Sequence, residues 1–432
     1  MITLNVSQHD NLYECFPDIA RTADGTMVIV YRECMMHAPF PFSRLVVRCS
    51  TDDGRRWSER KILLETVGRD EIIEKNRPWL ASDAIAGYEE SRARIKEDWQ
   101  IGAGINCPRM ICLGDGTIFL VADVAKIMDV AGSRVWKNYA WRSSDNGLTW
   151  KGPELLKVPD GLVPSLTQLR NGDVLLGLNT PDKDNPFFCR SSDGTCTWSE
   201  PVFIPSNDKM QMTETNYLEL DDGIIIGVAR NVITELQKRP TAGIKVISND
   251  GGKTWRGPFE TWLIGLNGRP KAGLLASGEV CITYRYALPS QGFAMHIMTQ
   301  ENAKFEELGD RVERRPMPED IPGQIAAEAG EVRPEHLTTY YAGRTLFISP
   351  ERGVYSDCGY SGWVQLPSGE IYIVDYSIDD APLARIRAYI VSRSDYILFP
   401  EGDMPDMHPS WLPFREMSAG MAERQRIKNM KS

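Results

Sequence analysis

Six short turns of the Asp-Gly type divide the chain at regular intervals. They join pairs of apolar, β-branched runs and lie at Asp24-Gly25, Asp115-Gly116, Asn171-Gly172, Asp222-Gly223, Ser277-Gly278 and Ser368-Gly369. Asp-Gly and Asn-Gly between such runs are the strongest short-range signals of a β-hairpin. The six glycines are 91, 56, 51, 55 and 91 residues apart. Each long interval therefore fits one ordinary unit plus an insertion of about 35–40 residues.

A second motif, Ser-x-Asp-x-Gly-x-x-Trp, recurs between these hairpins. It occurs at Ser50–Trp57, Ser143–Trp150 and Ser248–Trp255, and a degenerate copy lies at Ser191–Trp198. The Asp carboxylate can accept backbone N–H bonds across a tight turn, Gly supplies a positive φ, and Trp covers the turn. Because each copy follows a short β-rich run, the motif is predicted to be a hairpin turn.

Units of two central strands followed by a second hairpin give blades of four antiparallel strands. Repeats of about 40–50 residues with this content are typical of a β-propeller. The chain is therefore predicted to be all-β, a six-bladed β-propeller forming a single domain over residues 1–432. A β-sandwich is the rival all-β fold, but a sandwich would not repeat one internal motif six times.

Segments outside the repeat are predicted from their composition. Residues 67–100 carry charged and apolar side chains at helical spacing, so a helical or loop insertion is expected there. Residues 306–356 are predicted to be a second, charged insertion with a short helical stretch near residues 325–330. Residues 400–432 are predicted to form a surface strap, and residues 2–6 a strand that completes the last blade.

The composition is that of an ordinary soluble protein, with 42% hydrophobic and 25% charged residues. No apolar run approaches the roughly 20 residues that span a bilayer, so no membrane association is expected. The net charge of −10 argues against nucleic acid as a partner. Nine cysteines without a CxxC pair indicate neither a zinc site nor a disulfide framework, and no metal or other cofactor is predicted. With no signal peptide visible, a cytoplasmic location is expected, and the oligomeric state stays open.

The hairpin turns also set a register for the far ends of the strands. Residues eight before and eight after the first turn residue lie together roughly 26 Å from the turn, and a propeller gathers these ends around one opening of its axis. The positions eight after the turn are Arg32, Asp123, Asn179, Arg230, Arg285 and Tyr376. Those eight before it are Phe16, Cys107, Val163, Glu214, Arg269 and Tyr360, and those six before it include Asp18, Arg109, Ser165, Asn216 and Lys271.

Cations dominate this predicted opening. Arg instead of Lys at three of six equivalent positions suggests planar recognition of a carboxylate or a sulfate. The plainer explanation is that exposed strand ends are polar in any protein. It accounts equally well for any single position but less well for the whole set. The predicted substrate-binding residues are Arg230, Arg32, Arg285, Arg269, Arg109 and Asp18.

The repeated turns and these strand ends resemble the sialidase (neuraminidase) superfamily, six-bladed propellers whose turns are known as Asp boxes or BNR repeats. The resemblance covers residues 12–400 and implies that the Asp boxes are structural turns far from the opening. It implies that Glu214 matches the Glu that polarises the nucleophilic Tyr and that Arg230 matches an Arg of the carboxylate-binding triad. It also implies that Tyr360, in Gly359-Tyr360-Ser361, matches that nucleophile.

Three departures from the family pattern are visible. Cys15-Phe16-Pro17 stands where the family has Arg-Ile-Pro, so the first Arg of the triad is missing. The fifth-blade Arg is replaced in the region of residues 290–293, and the segment from Arg32 to His37 lacks the expected acid–base Asp. The chain therefore resembles sialidase-like members without the full arginine triad, and efficient cleavage of common sialosides is not expected.

The resemblance suggests specific catalytic roles. Sialidases use a Tyr nucleophile because an anionic sugar repels a carboxylate nucleophile. Tyr360 is predicted to be the nucleophile, Glu214 its base, and His37 the general acid, with Glu33 and Asp18 as rival proton donors. Each assignment has a plainer alternative. Glu214 could pair with the arginines, Tyr360 could be a packed strand residue, and His37 could be an ordinary loop histidine.

The predicted function is that of a sialidase-like glycoside hydrolase acting on an acidic sugar or glycan, such as a uronic acid or a sulfated sugar. The expected partner is therefore an acidic carbohydrate. The alternative is a non-catalytic propeller that binds a glycan or serves as a scaffold, which the loss of two triad arginines favours. The sugar, the linkage and the stereochemical outcome stay open.

Overall fold

Six antiparallel sheets of four strands each make up the computed structural model of the protein. It describes residues 1–7, 12–95, 99, 104–127, 134–180, 185–207, 210–232, 242–287, 291–306, 343–350, 357–378 and 383–396. In five sheets the strands follow one another in chain order, and the sixth takes its outer strand from the N-terminus. The predicted fold, a six-bladed β-propeller of four-stranded blades, is confirmed.

The first strand of the chain is β1 (Ile2–Asn5), and the next twelve strands form the first three blades. Blade 1 contains β2 (Tyr13–Arg21), β3 (Met27–Cys34), β4 (Phe42–Ser50) and β5 (Lys61–Val67). Blade 2 contains β6 (Ile105–Cys112), β7 (Ile118–Ile127), β8 (Arg134–Ser143) and β9 (Lys151–Leu155). Blade 3 contains β10 (Leu162–Gln168), β11 (Val174–Asn179), β12 (Pro186–Ser191) and β13 (Val202–Phe203).

The remaining strands form the last three blades. Blade 4 contains β14 (Met212–Glu219), β15 (Ile225–Asn231), β16 (Ala242–Ser248) and β17 (Arg256–Ile264). Blade 5 contains β18 (Lys271–Leu274), β19 (Val280–Tyr286), β20 (Gly292–Met298) and β21 (Gly343–Pro350). Blade 6 contains β22 (Gly362–Gln365), β23 (Ile371–Ser377), β24 (Arg385–Val391) and β1.

The N-terminal strand closes the ring. In β1, Ile2 lies opposite Ile390 and Leu4 opposite Ala388 of β24, so the first residues of the chain complete the last blade. The guanidinium of Arg48, in blade 1, donates a 2.6 Å hydrogen bond to the carbonyl of Val6. The predicted closing strand is therefore confirmed.

Helices occupy the predicted insertion between blades 1 and 2. They are α1 (Asp70–Asn76), a 3-10 helix (Arg77–Trp79) and α2 (Ser82–Arg94), and two shorter helices lie elsewhere, α3 (Gln300–Ala303) and α4 (Arg393–Tyr396). In α2, Asp83 in the first turn and Arg92 and Arg94 in the last turn complement the helix dipole. In the part of the chain that the structure describes, no helix has the length and apolar character needed to cross a membrane.

The second predicted insertion needs a correction. Residues 343–350, assigned to the insertion, form β21 and pair with β20, with Phe347 opposite Ala294. The sequence signal was missed because no Asp-box turn precedes this strand. The remaining parts of that insertion, 307–342 and 351–356, and the predicted strap at 400–432 lie outside the described residues.

The Asp-box turns have the hydrogen bonds that the motif predicts. In the copy at 248–255, Asp250 Oδ1 accepts from Ser248 Oγ at 2.8 Å and from the Thr254 N–H at 2.9 Å. The degenerate copy keeps the same pattern, with Asp193 accepting from the Thr197 N–H at 2.9 Å. The carboxylates of the motif are therefore used within their own turns.

Both kinds of turn share one rim of the propeller. Asn146, in the Asp box of blade 2, donates a 2.6 Å hydrogen bond to Asp24, in the first hairpin turn of blade 1. The strand ends eight residues from the hairpin turns lie at the opposite rim. Between the rims, polar side chains connect neighbouring inner strands, as where Asn216 accepts from the Ala272 N–H at 3.0 Å.

Candidate active site

Bulges interrupt the inner strands of the first four blades as they approach the opening. The antiparallel register shifts at Cys15/Asp18 in β2, at Ile105/Pro108 in β6, at Leu162/Ser165 in β10 and at Thr213/Asn216 in β14. Two bulge residues, Phe16 and Glu214, have a positive φ of 58° and 55°. A bulge re-aims side chains, and a left-handed non-glycine residue is strained unless its surroundings hold it.

Buried polar side chains hold these bulges. Asn179 Oδ1 accepts from the Glu214 N–H at 3.2 Å. Asp123 Oδ1 accepts from the N–H groups of Cys107 and Val163 at 3.3 Å each, and burial raises the pKa of Asp123 to about 6. Asn179 and Asp123 were predicted to belong to the opening. Both are fully buried and instead fix the backbone that carries it.

Glu214 and Tyr360 meet across the opening. The Tyr360 hydroxyl donates a short hydrogen bond to Glu214 Oε1, and Glu214 Oε2 lies 3.7 Å from Arg230 Nη1. The Tyr360 segment is fixed from behind, because the Gly359 N–H donates to Asp375 Oδ1 at 2.7 Å. The Glu214 side chain is 20% exposed and Tyr360 is 8% exposed, so the pair is sheltered but reachable.

Two arginines flank the Tyr360 ring. The guanidinium carbons of Arg269 and Arg285 lie 4.8 Å and 4.9 Å from the ring centroid. Arg285 Nε donates to the Asn267 carbonyl at 2.6 Å. Arg269 is buried, and its Nε and Nη2 have no hydrogen-bond partner among the described residues. Since buried polar groups are normally paired, these N–H groups are suited to an anionic ligand.

The surroundings keep the Tyr360 phenol protonated. Burial and the Glu214 carboxylate raise the pKa of Tyr360 well above its ordinary value, and the charges of Arg285 and Arg230 oppose this only in part. A free tyrosinate is therefore disfavoured in this pocket. The hydroxyl can act as a nucleophile only if Glu214 removes its proton as it reacts.

A second cluster lies beside the first and centres on Asp357. His37 Nδ1 is 2.6 Å from Asp357 Oδ2, and the Tyr376 hydroxyl donates to Asp357 Oδ1 at 2.6 Å. The Tyr13 hydroxyl also donates to Oδ2. The Phe16 ring joins the two clusters, because its centroid is 5.3 Å from the rings of His37, Tyr360 and Tyr376 alike.

Three of the predicted binding residues are committed to protein contacts. Arg32 is fully buried, lies 4.6 Å from the Phe16 ring centroid and donates to the carbonyls of His37 and Ile105. Arg109 and Asp18 are buried as well, with 3.3 Å between the Arg109 Nη1 and Asp18 Oδ2 atoms.

Arg109 also donates to the Pro164 carbonyl at 2.9 Å, and Asp18 Oδ2 accepts from the Met110 N–H at 3.1 Å. These contacts join blades 1, 2 and 3, and Asp18 Oδ1 also lies 3.6 Å from Lys271 Nζ of blade 5. Glu33, a rival proton donor, is fully buried and pairs with Arg60 at 3.2 Å. The structure therefore brings together Glu214, Arg230, Tyr360, Arg269 and Arg285, with His37 joined to them through Phe16. Arg32, Arg109, Asp18 and Glu33 are buried and held in contacts of their own.

The BNR repeat-like domain family matches residues 73–373, well over half of the chain. The chain belongs to this family. The match begins in helix α1 of the insertion after blade 1, spans blades 2 to 5 and ends in strand β23 of blade 6. The predicted relationship to the BNR-repeat proteins is confirmed.

Solved structures share the fold at low sequence identity. A protein of unknown function from Dyadobacter fermentans superposes with a TM-score of 0.65 at 16% identity, covering 90% of this chain and 97% of the other. The intramolecular trans-sialidase from Ruminococcus gnavus gives 0.59 at 13% identity, covering 92% and 98%. The α-L-arabinanase from Penicillium chrysogenum gives 0.53 at 12% identity, covering 92% and 99%. A comparison with curated protein sequences gives no significant match.

Two features of this BNR repeat-like protein's site escaped the sequence. Asp357 lies only three residues before Tyr360, but it follows a long insertion, so the hairpin register does not reach it. Phe16 was predicted to lie at the opening from its position eight before the turn, but no role in the site was predicted for it. In both cases the deciding signal is the contact with His37, which no spacing along the chain reveals.

Metal ligands can be described only for part of the chain. Among the residues that the structure describes, no three His, Cys, Asp or Glu side chains are grouped so that they could hold a metal ion. The titratable and charged side chains that the structure places at the site are the Tyr360–Glu214 pair, the arginines and the His37–Asp357 pair.

Proposed function

We propose that this BNR repeat-like protein is a glycoside hydrolase that acts on an acidic sugar, a uronic acid or a sulfated sugar, at the opening of its propeller. The observation that carries the proposal is the hydrogen bond from Tyr360 to Glu214 between the guanidinium groups of Arg269 and Arg285. The sialidase and arabinanase among the structural neighbours support a carbohydrate as the substrate.

The charge around Tyr360 favours an anionic substrate. Arg230, Arg269 and Arg285 lie around the Tyr360 ring, and Glu214 is the carboxylate that accepts the hydrogen bond of its hydroxyl. A carboxylate or sulfate on the sugar that displaces the groups covering Arg269 would accept hydrogen bonds from its enclosed, unpartnered Nε and Nη2. A neutral sugar would leave these buried N–H groups without a charged acceptor, which costs about 1–3 kcal/mol per group.

The proposed reaction uses the Tyr360–Glu214 pair and His37. Tyr360 Oη attacks the anomeric carbon while its proton passes to Glu214, and the bond from that carbon to the leaving oxygen breaks. His37 donates a proton to the leaving oxygen. In the second half, His37 accepts a proton from the attacking water, the bond from the sugar to Tyr360 breaks, and Glu214 returns the proton to the phenol. Two displacements at one carbon retain its configuration.

Common sialosides are not the proposed substrates. Cys15, at the place of the first triad Arg, is fully buried, and the neighbouring Phe16 presents a ring to the opening. The loss of one charge-assisted hydrogen bond to a carboxylate weakens binding by about 1.5–3 kcal/mol. Of the triad only Arg230 is matched, and its neighbours Arg269 and Arg285 suit a differently placed acidic group.

A binding-only role rests on one specific observation. Arg32 of blade 1 is fully buried and donates to backbone carbonyls, so it is closed to a ligand. Among the described residues, blade 1 therefore contributes no Arg to the pocket beside Tyr360. A propeller with this incomplete set could hold an acidic glycan without cleaving it.

One screen separates the two roles. The purified full-length protein is incubated with aryl uronides and sulfated aryl glycosides in both anomeric forms and with acidic oligosaccharides, beside the variant Glu214→Gln. We expect release of the aryl group from at least one acidic glycoside by the wild type, and release by the variant lower by roughly 10²–10⁴-fold. Calorimetric binding of an acidic oligosaccharide without turnover would support the binding role and contradict the hydrolase.

A further inference from the structure

Asp357 is held by an unusual number of hydrogen-bond donors. It receives the Tyr13 and Tyr376 hydroxyls and lies 2.6 Å from His37 Nδ1. Arg285 Nη1 is a further 3.8 Å neighbour of Oδ1. These groups come from blades 1, 5 and 6 and from the loop between β3 and β4, so four parts of the chain converge on one carboxylate.

Such a carboxylate stays ionised. Burial favours its neutral form, but the hydrogen bonds and the charge around it outweigh burial, so the pKa of Asp357 is lowered. An acid this strong holds no proton near neutral pH and cannot itself protonate a leaving group. If Asp357 takes part in the reaction, it acts through a neighbour.

The neighbour is His37. Its side chain is 63% exposed, against 18% for Asp357, so the imidazole stands between the carboxylate and the solvent of the opening. The ring edge packs against Phe16 at a centroid distance of 5.3 Å, and Arg32 donates to the His37 carbonyl. Backbone and ring are therefore both held, although the side chain is largely exposed.

The loop that carries His37 is itself supported. Met35 and Phe40 pack against an apolar cluster of Phe42, Val67, Ile73 and Tyr88, to which the helical insertion contributes the last two. The helices between blades 1 and 2 therefore support the loop through this apolar packing.

We propose that Asp357 is the positioning residue of the general acid: it accepts the Nδ1 proton of His37 and so directs Nε2 towards the leaving oxygen. This inference rests on the hydrolase proposed above. In the first half-reaction the Nε2 proton moves to the leaving oxygen. The other proton stays on Nδ1 and remains hydrogen-bonded to Asp357. In the second half, Nε2 removes a proton from water, which restores the imidazolium. The charge of Asp357 stabilises that cation throughout.

The kinetic test compares leaving groups. A dinitrophenyl leaving group departs without protonation, whereas a methylumbelliferyl or alkyl group needs an acid. For the acidic glycoside that the wild type cleaves, we expect Asp357→Asn and His37→Asn to lower kcat/KM by at least tenfold with the poor leaving group and by less than threefold with the dinitrophenyl group.

A control variant tests whether the loss of any carboxylate has this effect. Asp221→Asn, which removes an exposed carboxylate paired with Arg170 on the Asp-box rim, should match the wild type throughout. An Asp357→Asn variant with wild-type kinetics for both leaving groups would overturn the inference.

An NMR measurement tests the pairing without any turnover. In protein with isotope-labelled histidine, His37 of the wild type should show a protonated Nδ1 that exchanges slowly with water, and Asp357→Asn should abolish this slow exchange. An Nδ1 signal unchanged by Asp357→Asn would overturn the inference even if the enzyme is active. Failure of the wild type to cleave any acidic glycoside would instead overturn the proposed function, and with it the catalytic role of the pair.

Discussion

The Tyr360 hydroxyl donates a hydrogen bond to Glu214, which lies 146 residues earlier in the chain. The bond crosses the opening of the propeller from blade 6 to blade 4. Because the two residues belong to different blades, neither blade could form this contact by itself. The contact exists because the strand ends of all six blades meet around one axis and because a bulge in β14 turns Glu214 out of the regular alternation. The most specific chemistry in the molecule therefore depends directly on closure of the ring.

Glu214→Gln should remove the catalytic base without destabilising the fold. The carboxamide can still accept the Tyr360 hydroxyl proton in a hydrogen bond, but it cannot remove that proton. We expect kcat on an acidic aryl glycoside to fall by roughly 10²–10⁴-fold with KM changed by only a few fold. Glu219→Gln is the matched control, because Glu219 lies on the same strand and binds the Arg170 N–H near the other rim. Wild-type kcat in Glu214→Gln would contradict the assigned role.

Arg269→Gln should weaken recognition of the acidic group. Arg269 is buried, and its Nε and Nη2 are unpartnered among the described residues, so a bound anion gains charge-assisted hydrogen bonds there. We expect KM for an acidic glycoside to rise by about tenfold or more, and KM for its methyl ester to change little. Arg170→Gln, on the opposite rim, should leave both values unaltered. An equal rise for the acid and the ester would show that Arg269 does not read the charge.

Gly54→Ala should destabilise the first Asp box by two separate effects. Gly54 has a φ of +76°, and a Cβ there would lie 2.4 Å from the Tyr372 ring. The left-handed backbone costs an added side chain about 1–2 kcal/mol, and the forced shift of Tyr372 adds about 1–3 kcal/mol.

Gly116→Ala isolates the first effect, since Gly116 has a φ of +87° and an added Cβ would meet nothing within 4 Å. Urea denaturation should therefore show a clearly larger loss for Gly54→Ala. Equal losses in the two variants would contradict the contact with Tyr372.

His296 should make the fold sensitive to mild acid. Burial lowers the pKa of His296 from 6.5 to about 4, while the unfolded chain keeps the ordinary value. Between these values the unfolded state binds more protons than the folded state, so the free energy of unfolding falls as the pH falls. The loss over this window reaches roughly 3 kcal/mol.

His296→Gln removes this titration and should flatten the fall, as measured by urea denaturation at a series of pH values. Thr345→Ser keeps the hydroxyl that lies 2.8 Å from His296 Nδ1 and should follow the wild type. An identical pH dependence in wild type and His296→Gln would refute the prediction.

The fold was largely predictable because its signals are local. Each Asp-Gly turn specifies its own hairpin, and each Asp box closes its hydrogen bonds within eight residues, so the repeat appears directly in the sequence. The strand β21 was missed because it pairs with β20 across a long insertion and has no turn motif of its own.

The site was predictable only as far as the register reached. Counting from the turns identified Glu214, Arg230, Arg269, Arg285 and Tyr360, because strand rise fixes how far each lies from its turn. The count could not tell which side chains face the pocket and which are enclosed. Arg32 and Asp123 occupy the same position in their blades as Arg230, yet bulge geometry and neighbouring backbone groups bury both.

The central claim is that Tyr360 is a nucleophile activated by Glu214, and trapping the covalent intermediate tests it most directly. The wild type and Tyr360→Phe are each incubated with fluorinated glycosyl fluorides of acidic sugars, digested and analysed by mass spectrometry. The account predicts a sugar adduct on the peptide that contains Tyr360 in the wild type, and no adduct and almost no turnover in Tyr360→Phe, with an unchanged melting temperature because the ring keeps its packing. An adduct on another residue, or a Tyr360→Phe variant that hydrolyses acidic glycosides at the wild-type rate, would contradict it.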